Sequence, residues 1–228
     1  MSSRNKRFVR RAKARGFTLI EAAMAVIIIG VGVLAMVDAQ QAFVRANLWS
    51  SHAASATFLA NEIREYTRHL PKHDPVASIV IDGGSPGAGT LYGWGPNIGE
   101  VDVSDFDDLD DFDGISFSYI GNAGFDDGDL PGPIDAFGNV IPEITIAGQE
   151  MMTTDNQDLP MQGWTQTVIV EKVEPFDTAT VVPDWEDRSS TGGPAVDAFP
   201  LRVSVEVYYQ GINDIEGELI TTVSWVVP

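Results

Sequence analysis

The chain has 228 residues, with 14 lysine and arginine residues against 33 aspartate and glutamate residues, and it has no cysteine. That length suits one globular domain with an appendage, and the lack of cysteine excludes disulfides, zinc-thiolate sites and a cysteine nucleophile. Between Pro75 and Glu171 there are 18 acidic residues and no lysine or arginine. Because such a surface repels phosphates, we do not expect the bulk of the protein to bind nucleic acid.

The N-terminal segment is first basic and then apolar. Residues 1–16 carry seven basic side chains and no acid, and residues 17–37 are apolar except for Thr18 and Glu21. At about 1.5 Å per residue, this apolar segment spans roughly 31 Å, which matches the thickness of a membrane hydrocarbon core. The basic flank predicts a single pass with a cytoplasmic N-terminus. An ordinary secretory signal fits less well, because its apolar region is shorter and ends in a small-residue cleavage site.

A six-residue sequence stands where the basic and apolar parts meet, and it reads Gly16-Phe17-Thr18-Leu19-Ile20-Glu21. An ionised Glu21 within an apolar span is unfavourable in a membrane, which favours a functional role for this acid. With a basic leader before it and an apolar helix after it, the sequence resembles the prepilin signal of type IV pilins and type II secretion pseudopilins.

The resemblance implies how the chain is processed and where it resides. Residues 1–16 are a leader that prepilin peptidase removes by cleaving after Gly16, and Phe17 is then methylated on its new amine. Glu21 is implied as the assembly contact, because its carboxylate attracts the Phe17 amine of a neighbouring subunit. The implied partners are prepilin peptidase, other pilin or pseudopilin subunits contacted through the N-terminal helix, and an inner-membrane assembly platform. The implied location is the inner membrane with a periplasmic C-terminal domain, followed by a pilus at the cell surface or a periplasmic pseudopilus.

The helical pattern continues beyond the membrane segment. Residues 38–71 are predicted to form an amphipathic half of the same helix, which ends at Pro71 and packs on a periplasmic domain. Its apolar stripe has members three or four apart, namely Leu48, His52, Ala56, Leu59, Ile63, Tyr66 and Leu70. We interpret His52 as a core or boundary histidine rather than a ligand.

Residues 72–228 are predicted to form an acidic β-rich domain, with candidate strands at 76–81, 115–120 and 165–173. Apolar alternation over residues 201–209 and 219–227 predicts a terminal antiparallel hairpin whose apolar face lies on the long helix and which is held by packing alone. Residues 174–200 are predicted to form an exposed loop. The expected fold class is α+β, a type IV pilin-like fold with a long N-terminal α-helix packed on a C-terminal antiparallel β-sheet.

Two partial matches to enzyme or metal-binding motifs are better explained by local backbone structure, a turn in one case and a helix terminus in the other. Residues 83–87 match the G-x-S-x-G pattern of a hydrolase nucleophile, but no histidine follows His73 in the sequence, which favours a turn. His69 and His73 are four residues apart, but Pro71 between them breaks the helix, which predicts a solvated helix terminus. We therefore expect no enzymatic activity.

Seven aspartates lie in one short segment before Gly114. They are Asp102, Asp105, Asp107, Asp108, Asp110, Asp111 and Asp113. Oxygen ligands at this density suit Ca²⁺, and the last six are the candidate metal ligands. The spacing of an EF-hand is absent, because apolar residues fall on ligand positions. Two interpretations stay open, a Ca²⁺ site and a solvated acidic loop that needs no cofactor.

Residues 105–114, with Gly95-Pro96 before them, also resemble the Asp-Asp-aromatic-x-Gly segment of MSHA-type minor pilins. The two resemblances together imply a structural function, that of a minor pilin or pseudopilin in an MSHA-type type IV pilus or a type II secretion pseudopilus. An alternative hypothesis is a membrane-tethered, Ca²⁺-dependent adhesin or binding module that uses the prepilin pathway for export.

Overall fold

The computed structural model describes residues 18–82, 90–122, 129–154 and 157–228. The described chain divides into two compact units, one that ends at Trp49 and one that begins at Ser50. The elements in chain order are α1 (Leu19–Thr67), β1 (Val80–Asp82), β2 (Thr90–Tyr92), the 3₁₀ helix η1 (Asp110–Phe112), β3 (Ser116–Ser118), β4 (Asp129–Pro131), β5 (Trp164–Glu174), β6 (Asp177–Val181), the 3₁₀ helix η2 (Ser189–Thr191), β7 (Leu201–Tyr209) and β8 (Glu218–Val227).

The first unit contains the apolar part of α1, and Thr18 caps the start of this helix. The Glu21 amide donates to the Thr18 carbonyl at 3.1 Å and also lies 3.4 Å from its Oγ1. A threonine three residues before a glutamate is the pattern of a capping box, and an acid in the first turn also favours the helix dipole. Among the described residues, α1 is the helix that is long and apolar enough to cross a membrane.

The second unit buries the other end of α1. The buried residues of the helix are Ala56, Leu59, Ala60, Ile63 and Thr67. This stripe confirms the predicted helix-to-core face, although burial starts later than predicted, since Leu48 is 56% exposed. The helix ends at Thr67, four residues before Pro71, and the Thr67 hydroxyl donates to the Ile63 carbonyl at 2.9 Å.

The main sheet has the strand order β4-β3-β5-β7-β8, and β6 pairs with the end of β5. All pairs are antiparallel except β3 with β4, which is parallel. Strands β1 and β2 form a separate antiparallel pair. The predicted α+β fold with an antiparallel sheet is confirmed, with this one parallel pair as the difference.

The predicted terminal hairpin is confirmed as β7 and β8, but its alternation is interrupted. The inward residues of β7 are fully buried and are Leu201, Val203, Val205 and Val207. On β8 the register shifts, so that Val207 lies opposite Thr221 while Tyr208 lies opposite Leu219. Ile220 is therefore the extra residue of a β-bulge, and Leu219 is 46% exposed instead of facing the core.

The core forms where α1, β5 and β7 meet, and it contains one buried amide. The apolar residues of this cluster include Leu59, Ile63, Val168 and Val205. Gln166 of β5 is fully buried among them. Its Nε2 donates to the carbonyls of Leu59 at 2.8 Å and Ile134 at 3.1 Å, and its Oε1 accepts the Ile134 amide at 2.8 Å. All three hydrogen bonds are internal, so the buried amide is fully paired and fixes how the helix, the strand and the Ile134 backbone pack against one another.

The other predicted strands differ in length from the observed ones. The prediction for residues 165–173 is confirmed by β5, and that for 115–120 shortens to β3. The predicted strand at 76–81 is wrong over most of its length, because β1 begins only at Val80. The Asp74 side chain accepts the Val76 amide at 2.6 Å, and its carbonyl accepts the Ser78 amide at 2.9 Å, so a turn replaces the strand.

The prediction of an exposed loop over residues 174–200 is also wrong. This segment contains β6 and buries three apolar side chains, those of Val182, Val196 and Phe199. Arg188 holds it together, since its guanidinium pairs with Glu174 at 2.7 Å and lies 5.4 Å from the centre of the Phe199 ring. The burial arises from irregular contacts, which leave no periodic pattern in the sequence.

Candidate functional site

The N-terminal site is only partly described. Gly16 and Phe17, the predicted cleavage and methylation residues, lie outside the described residues, as does the G-x-S-x-G segment. Glu21 lies in the first turn of α1, is exposed, and forms no hydrogen bond or ion pair through its side chain with a described residue. Its carboxylate is therefore available to a partner.

The first unit also presents a long apolar surface. From Leu19 to Trp49, large apolar side chains are between 43% and 90% exposed. The exposure continues past the predicted membrane segment, because Phe43, Val44 and Trp49 are more than half exposed. Exposed apolar side chains in this number need a membrane or a protein partner to cover them.

The acidic segment separates into exposed and buried carboxylates. Asp102, Asp105 and Asp107 are exposed. Asp105 Oδ2 accepts the amides of Val101 and Asp102, both at 3.2 Å, which closes a local turn. The exposure of these three carboxylates fits the interpretation of a solvated acidic loop.

That interpretation is wrong for the other part of the segment, where Asp108, Asp110 and Asp111 are at most 1% exposed. The reason is that Leu109 and Phe112, which alternate with these acids, belong to the hydrophobic core and carry the acids inward. Backbone amides compensate part of the cost of burial. Asp108 Oδ1 accepts the amides of Asp110 and Asp111, and Asp111 Oδ2 accepts those of Asp107 and Asp108.

His73 is another departure from the prediction, since it is only 8% exposed rather than a solvated helix terminus. The chain beyond Pro71 runs against the acidic segment, where the Leu109 amide donates to the Pro71 carbonyl at 2.9 Å. His73 Nδ1 lies 2.5 Å from Asp110 Oδ2. Burial, with Lys172 and Lys72 nearby, lowers the pKa of His73 to about 4. The contact is therefore a hydrogen bond of a neutral imidazole at pH 7.

The end of the acidic segment has a structural role. Asp113 uses both oxygens, accepting the Trp94 Nε1–H at 3.0 Å and the Val170 amide at 2.9 Å. Phe112 is fully buried. Gly114 has a φ of +77°, which favours glycine, and its amide donates to the Val168 carbonyl at 3.0 Å. Asp113, at the variable position of the Asp-Asp-aromatic-x-Gly segment, and Gly114 therefore anchor this turn on β5.

The structure brings some of the predicted metal ligands together and leaves others apart. One ligand oxygen from each of Asp108, Asp110 and Asp111 lies within 4.8 Å of the others, and the same holds for a second set of Glu100, Asp107 and Asp111. Asp105 and Asp113 belong to neither set. Asp105 accepts the Val101 amide, and Asp113 accepts the Val170 amide. Glu100 was missed by sequence reasoning, because it precedes the aspartate run and stands alone in the sequence.

Lys172 is a second residue that sequence reasoning missed. It is fully buried on β5, donates to the Asp184 carbonyl, and its Nζ lies 5.4 Å from the centre of the Trp94 ring. Burial lowers the pKa of Lys172 to about 8. The alternation of Val168, Val170 and Lys172 on one face of β5 is the signal that identifies it as inward-facing.

Comparison with known proteins gives one match. The family model of the prokaryotic N-terminal methylation motif matches residues 11–37. A search of the curated proteins and a search of the solved structures each found no match. The motif implies processing by prepilin peptidase and assembly with other pilins in a membrane complex, and the family that carries it consists of structural subunits. The chain therefore carries the N-terminal methylation motif that the sequence Gly16-Phe17-Thr18-Leu19-Ile20-Glu21 predicted, which is the N-terminal signature of type IV pilins and pseudopilins.

Proposed function

We propose that this protein is a minor pilin or pseudopilin that prepilin peptidase cleaves at the Gly16–Phe17 bond and that an inner-membrane platform assembles into an MSHA-type type IV pilus or a type II secretion pseudopilus. One observation carries the proposal. The methylation motif over residues 11–37 leads into a helix whose residues up to Trp49 expose apolar side chains, while its residues from Ala56 on form part of the core of the second unit.

This arrangement suits a subunit that first resides in a membrane and then packs against other subunits. Apolar exposure up to Val37 fits a lipid environment, and exposure of Phe43, Val44 and Trp49 beyond it provides contacts for neighbouring helices. Glu21 has no described partner in its own chain, so it can pair with the methylated Phe17 amine of the next subunit. In a medium of low dielectric constant such a pair is strong.

The segment 105–114 favours the MSHA-type assignment within the family. Its resemblance to MSHA-type minor pilins covers Asp110, Asp111, Phe112 and Gly114, of which the first three are buried and the last has a positive φ. The adhesin alternative gains no support from this segment, because the carboxylates of Asp108, Asp110 and Asp111 are buried and offer no surface to an external target. We assign the chain no reaction of its own.

Processing is the first test. The full chain is expressed with and without a prepilin peptidase, and the N-terminus is determined by mass spectrometry. The expected product begins with N-methylated Phe17, and Gly16→Val is expected to abolish cleavage because a side chain blocks a site that accepts glycine. A mature N-terminus at Ala39 or beyond would contradict the proposal and indicate an ordinary signal peptide.

Assembly is the second test. Glu21→Val is compared with wild type by the ratio of the protein in sheared surface fibres, or in a crosslinked periplasmic pseudopilus, to that in the membrane. We expect the variant to be cleaved and inserted but depleted from the assembly. Glu65→Val is the matched control, because it removes an exposed acid from the same helix within the second unit. An unchanged ratio for Glu21→Val would contradict its role as the assembly contact.

A further inference from the structure

The three buried carboxylates of Asp108, Asp110 and Asp111, called the buried triad below, are not explained by assembly. They lie in the second unit, at most 1% exposed, with one oxygen of each within 4.8 Å of the others. Like charges at this distance in a poorly solvated environment repel strongly. A fold that retains three such groups must balance them with protons or with a cation.

Two oxygens of the buried triad make an independent observation. Oδ1 of Asp110 and Oδ1 of Asp111 are buried and accept no hydrogen bond of ordinary geometry from a described residue. Nearly all buried polar atoms in folded proteins have a partner, and an unpaired one costs about 1–3 kcal/mol. The opposite oxygens are already bound, Asp110 Oδ2 by His73 Nδ1 and Asp111 Oδ2 by two backbone amides. The side chains are thus fixed in orientation. Asp110 also interacts with the Gly95 amide and the Asp108 carboxyl, so Asp111 Oδ1 is the oxygen of the triad that is left without a donor among the described residues.

The nearby cations do not neutralise the buried triad. Lys172 donates to the Asp184 carbonyl, and Lys72 donates to the Phe199 carbonyl at 3.2 Å. Neither forms an ion pair with the buried triad among the described residues. The site is therefore short of positive charge.

We propose that the buried triad binds one divalent cation, Ca²⁺, with Asp111 as the central ligand. Asp111 also belongs to the set with Glu100 and Asp107, and Asp107 is exposed, so this second set connects the buried triad with solvent. The donor set contains only hard oxygen atoms. Such ligands suit Ca²⁺, which accepts six to eight oxygens in flexible geometry, better than Mg²⁺, which demands a regular octahedron, or Zn²⁺, which prefers nitrogen and sulfur. Because the ligands are buried, the ion stabilises the fold and does not depend on the assembly proposed above.

The test uses the full chain in detergent micelles after removal of metals with a chelator. Thermal unfolding is followed by tryptophan fluorescence in CaCl₂, in MgCl₂, and in NaCl of equal ionic strength. At about 100 times Kd, we expect Ca²⁺ to raise Tm by about 5 to 10 °C. Equal shifts in CaCl₂ and NaCl would overturn the site, because they would show general screening of an acidic protein. Equal shifts with CaCl₂ and MgCl₂ would overturn the assignment of calcium.

Asp111→Asn is the decisive variant. Asparagine keeps the shape and one oxygen for the amides of Asp107 and Asp108, and it relieves repulsion in the metal-free protein. We therefore expect a Tm without Ca²⁺ at least equal to that of wild type, together with loss of the Ca²⁺-dependent rise. A merely structural role would instead lower Tm in both conditions. Asp102→Asn is the matched control, since it removes one exposed charge of the same segment and should leave the Ca²⁺ response unchanged.

Direct binding decides the case if the variant does not fold. Isothermal titration of wild type with CaCl₂ is expected to show saturable binding of one ion per chain, retained in Asp102→Asn. Asp110→Asn is the second ligand variant and should weaken binding at least 10-fold. Absence of saturable binding to folded wild type would overturn the proposal, and so would wild-type affinity in both ligand variants.

Discussion

The helix residues 19–49 and the acidic segment 102–113 invert the ordinary relation between polarity and burial. In the helix, large apolar side chains are exposed, whereas in the acidic segment three carboxylates are buried. In most soluble proteins the apolar side chains are inside and unpaired charges are outside. Under the two proposals made above, a membrane and neighbouring subunits would cover the first region, and a Ca²⁺ ion would complete the second.

The difference lies in what completes each region. The apolar helix needs a surface of lipid or protein, which offers no specific geometry and tolerates many side chains. The Ca²⁺ ion proposed for the acidic segment would instead be a compact charge at one position, which only a fixed set of ligands can hold. Substitutions should therefore have small effects on folding in the first region and large ones in the second.

The largest expected effect is that of Phe112→Ala. Phe112 is fully buried and contacts the rings of Phe106, Tyr66 and Phe117. Its loss should lower the free energy of unfolding by about 3–5 kcal/mol, measured by denaturant unfolding in detergent. Phe43→Ala is the control, since Phe43 is 70% exposed and its loss should change the same quantity by less than about 0.5 kcal/mol. Equal effects of the two substitutions would remove the contrast between the regions.

The next largest effect is a fall in the free energy of unfolding between pH 6.5 and pH 8, measured in the presence of a chelator. The pKa values of Asp108, Asp110 and Asp111 are raised to about 7–8 by burial and mutual charge. The folded state therefore retains protons that the unfolded state has released. The contribution of these protons to the free energy of unfolding is complete below about pH 4 and is lost as pH rises through 7–8. His73, whose pKa is lowered to about 4, has the opposite effect, but only below pH 6.5.

We expect the free energy of unfolding to fall on the order of 2 kcal/mol across this window. Asp108→Asn removes one titrating group, so the variant should show a weaker dependence on pH. Asp102→Asn is the control and should follow wild type, because Asp102 is exposed. A stability that rises from pH 6.5 to 8 in wild type would contradict the burial of these acids.

A smaller loss is expected for Asp113→Ala. Unlike the buried triad, Asp113 has both oxygens bound, by the Trp94 indole and the Val170 amide. Removal of the carboxylate leaves these two donors without their acceptor and should cost about 1–3 kcal/mol in the free energy of unfolding. Asp102→Ala should have little effect. If Asp113→Ala were as stable as wild type, the anchoring of this turn on β5 would be refuted.

The smallest effect is that of Gly114→Ala. Gly114 has a φ of +77°, and an added Cβ meets no heavy atom within 4 Å, so only the backbone conformation opposes the change. The cost should be about 1 kcal/mol, observed as a fall in Tm of about 2–4 °C. Gly30→Ala is the control, because Gly30 lies in the exposed part of α1 with the same open space, and alanine there favours the helix. If Gly30→Ala lowered Tm and Gly114→Ala did not, neither the strained backbone at Gly114 nor the exposed helical position of Gly30 could be correct.

Regular periodicity explains which parts of the structure were predictable. The stripe of Ala56, Leu59 and Ile63 and the alternation of Leu201 to Val207 each repeat over several positions, and both predicted the core face. The match over residues 11–37 likewise depends on contiguous sequence. By contrast, the bulge at Ile220 shifts the register by one residue, and the alternation of the apolar residues does not reveal it.

The candidate metal site could be predicted only in part, because its geometry depends on distant contacts. The sequence identifies the aspartate run, but burial of Asp110 requires His73, which is 37 residues away, and the core position of Phe112. Glu100 joins Asp111 through a turn that no local pattern specifies. The inward position of Lys172 could have been predicted, because the residue continues the inward alternation of β5. A charged side chain is rarely buried, however, so the alternation alone did not favour that position.

The Gln166 carboxamide has a mechanical consequence for a chain held by its N-terminal helix. Apolar contacts are non-directional, whereas the hydrogen bonds from Gln166 to the carbonyls of Leu59 and Ile134 break when their donor and acceptor move apart by about 1 Å. Leu59, Ile134 and Gln166 all belong to the second unit, so these hydrogen bonds fix the buried end of α1 against β5, which lies in the middle of the main sheet. Sliding of this part of the helix along the sheet would have to break them, whereas apolar contacts could form again at a shifted position.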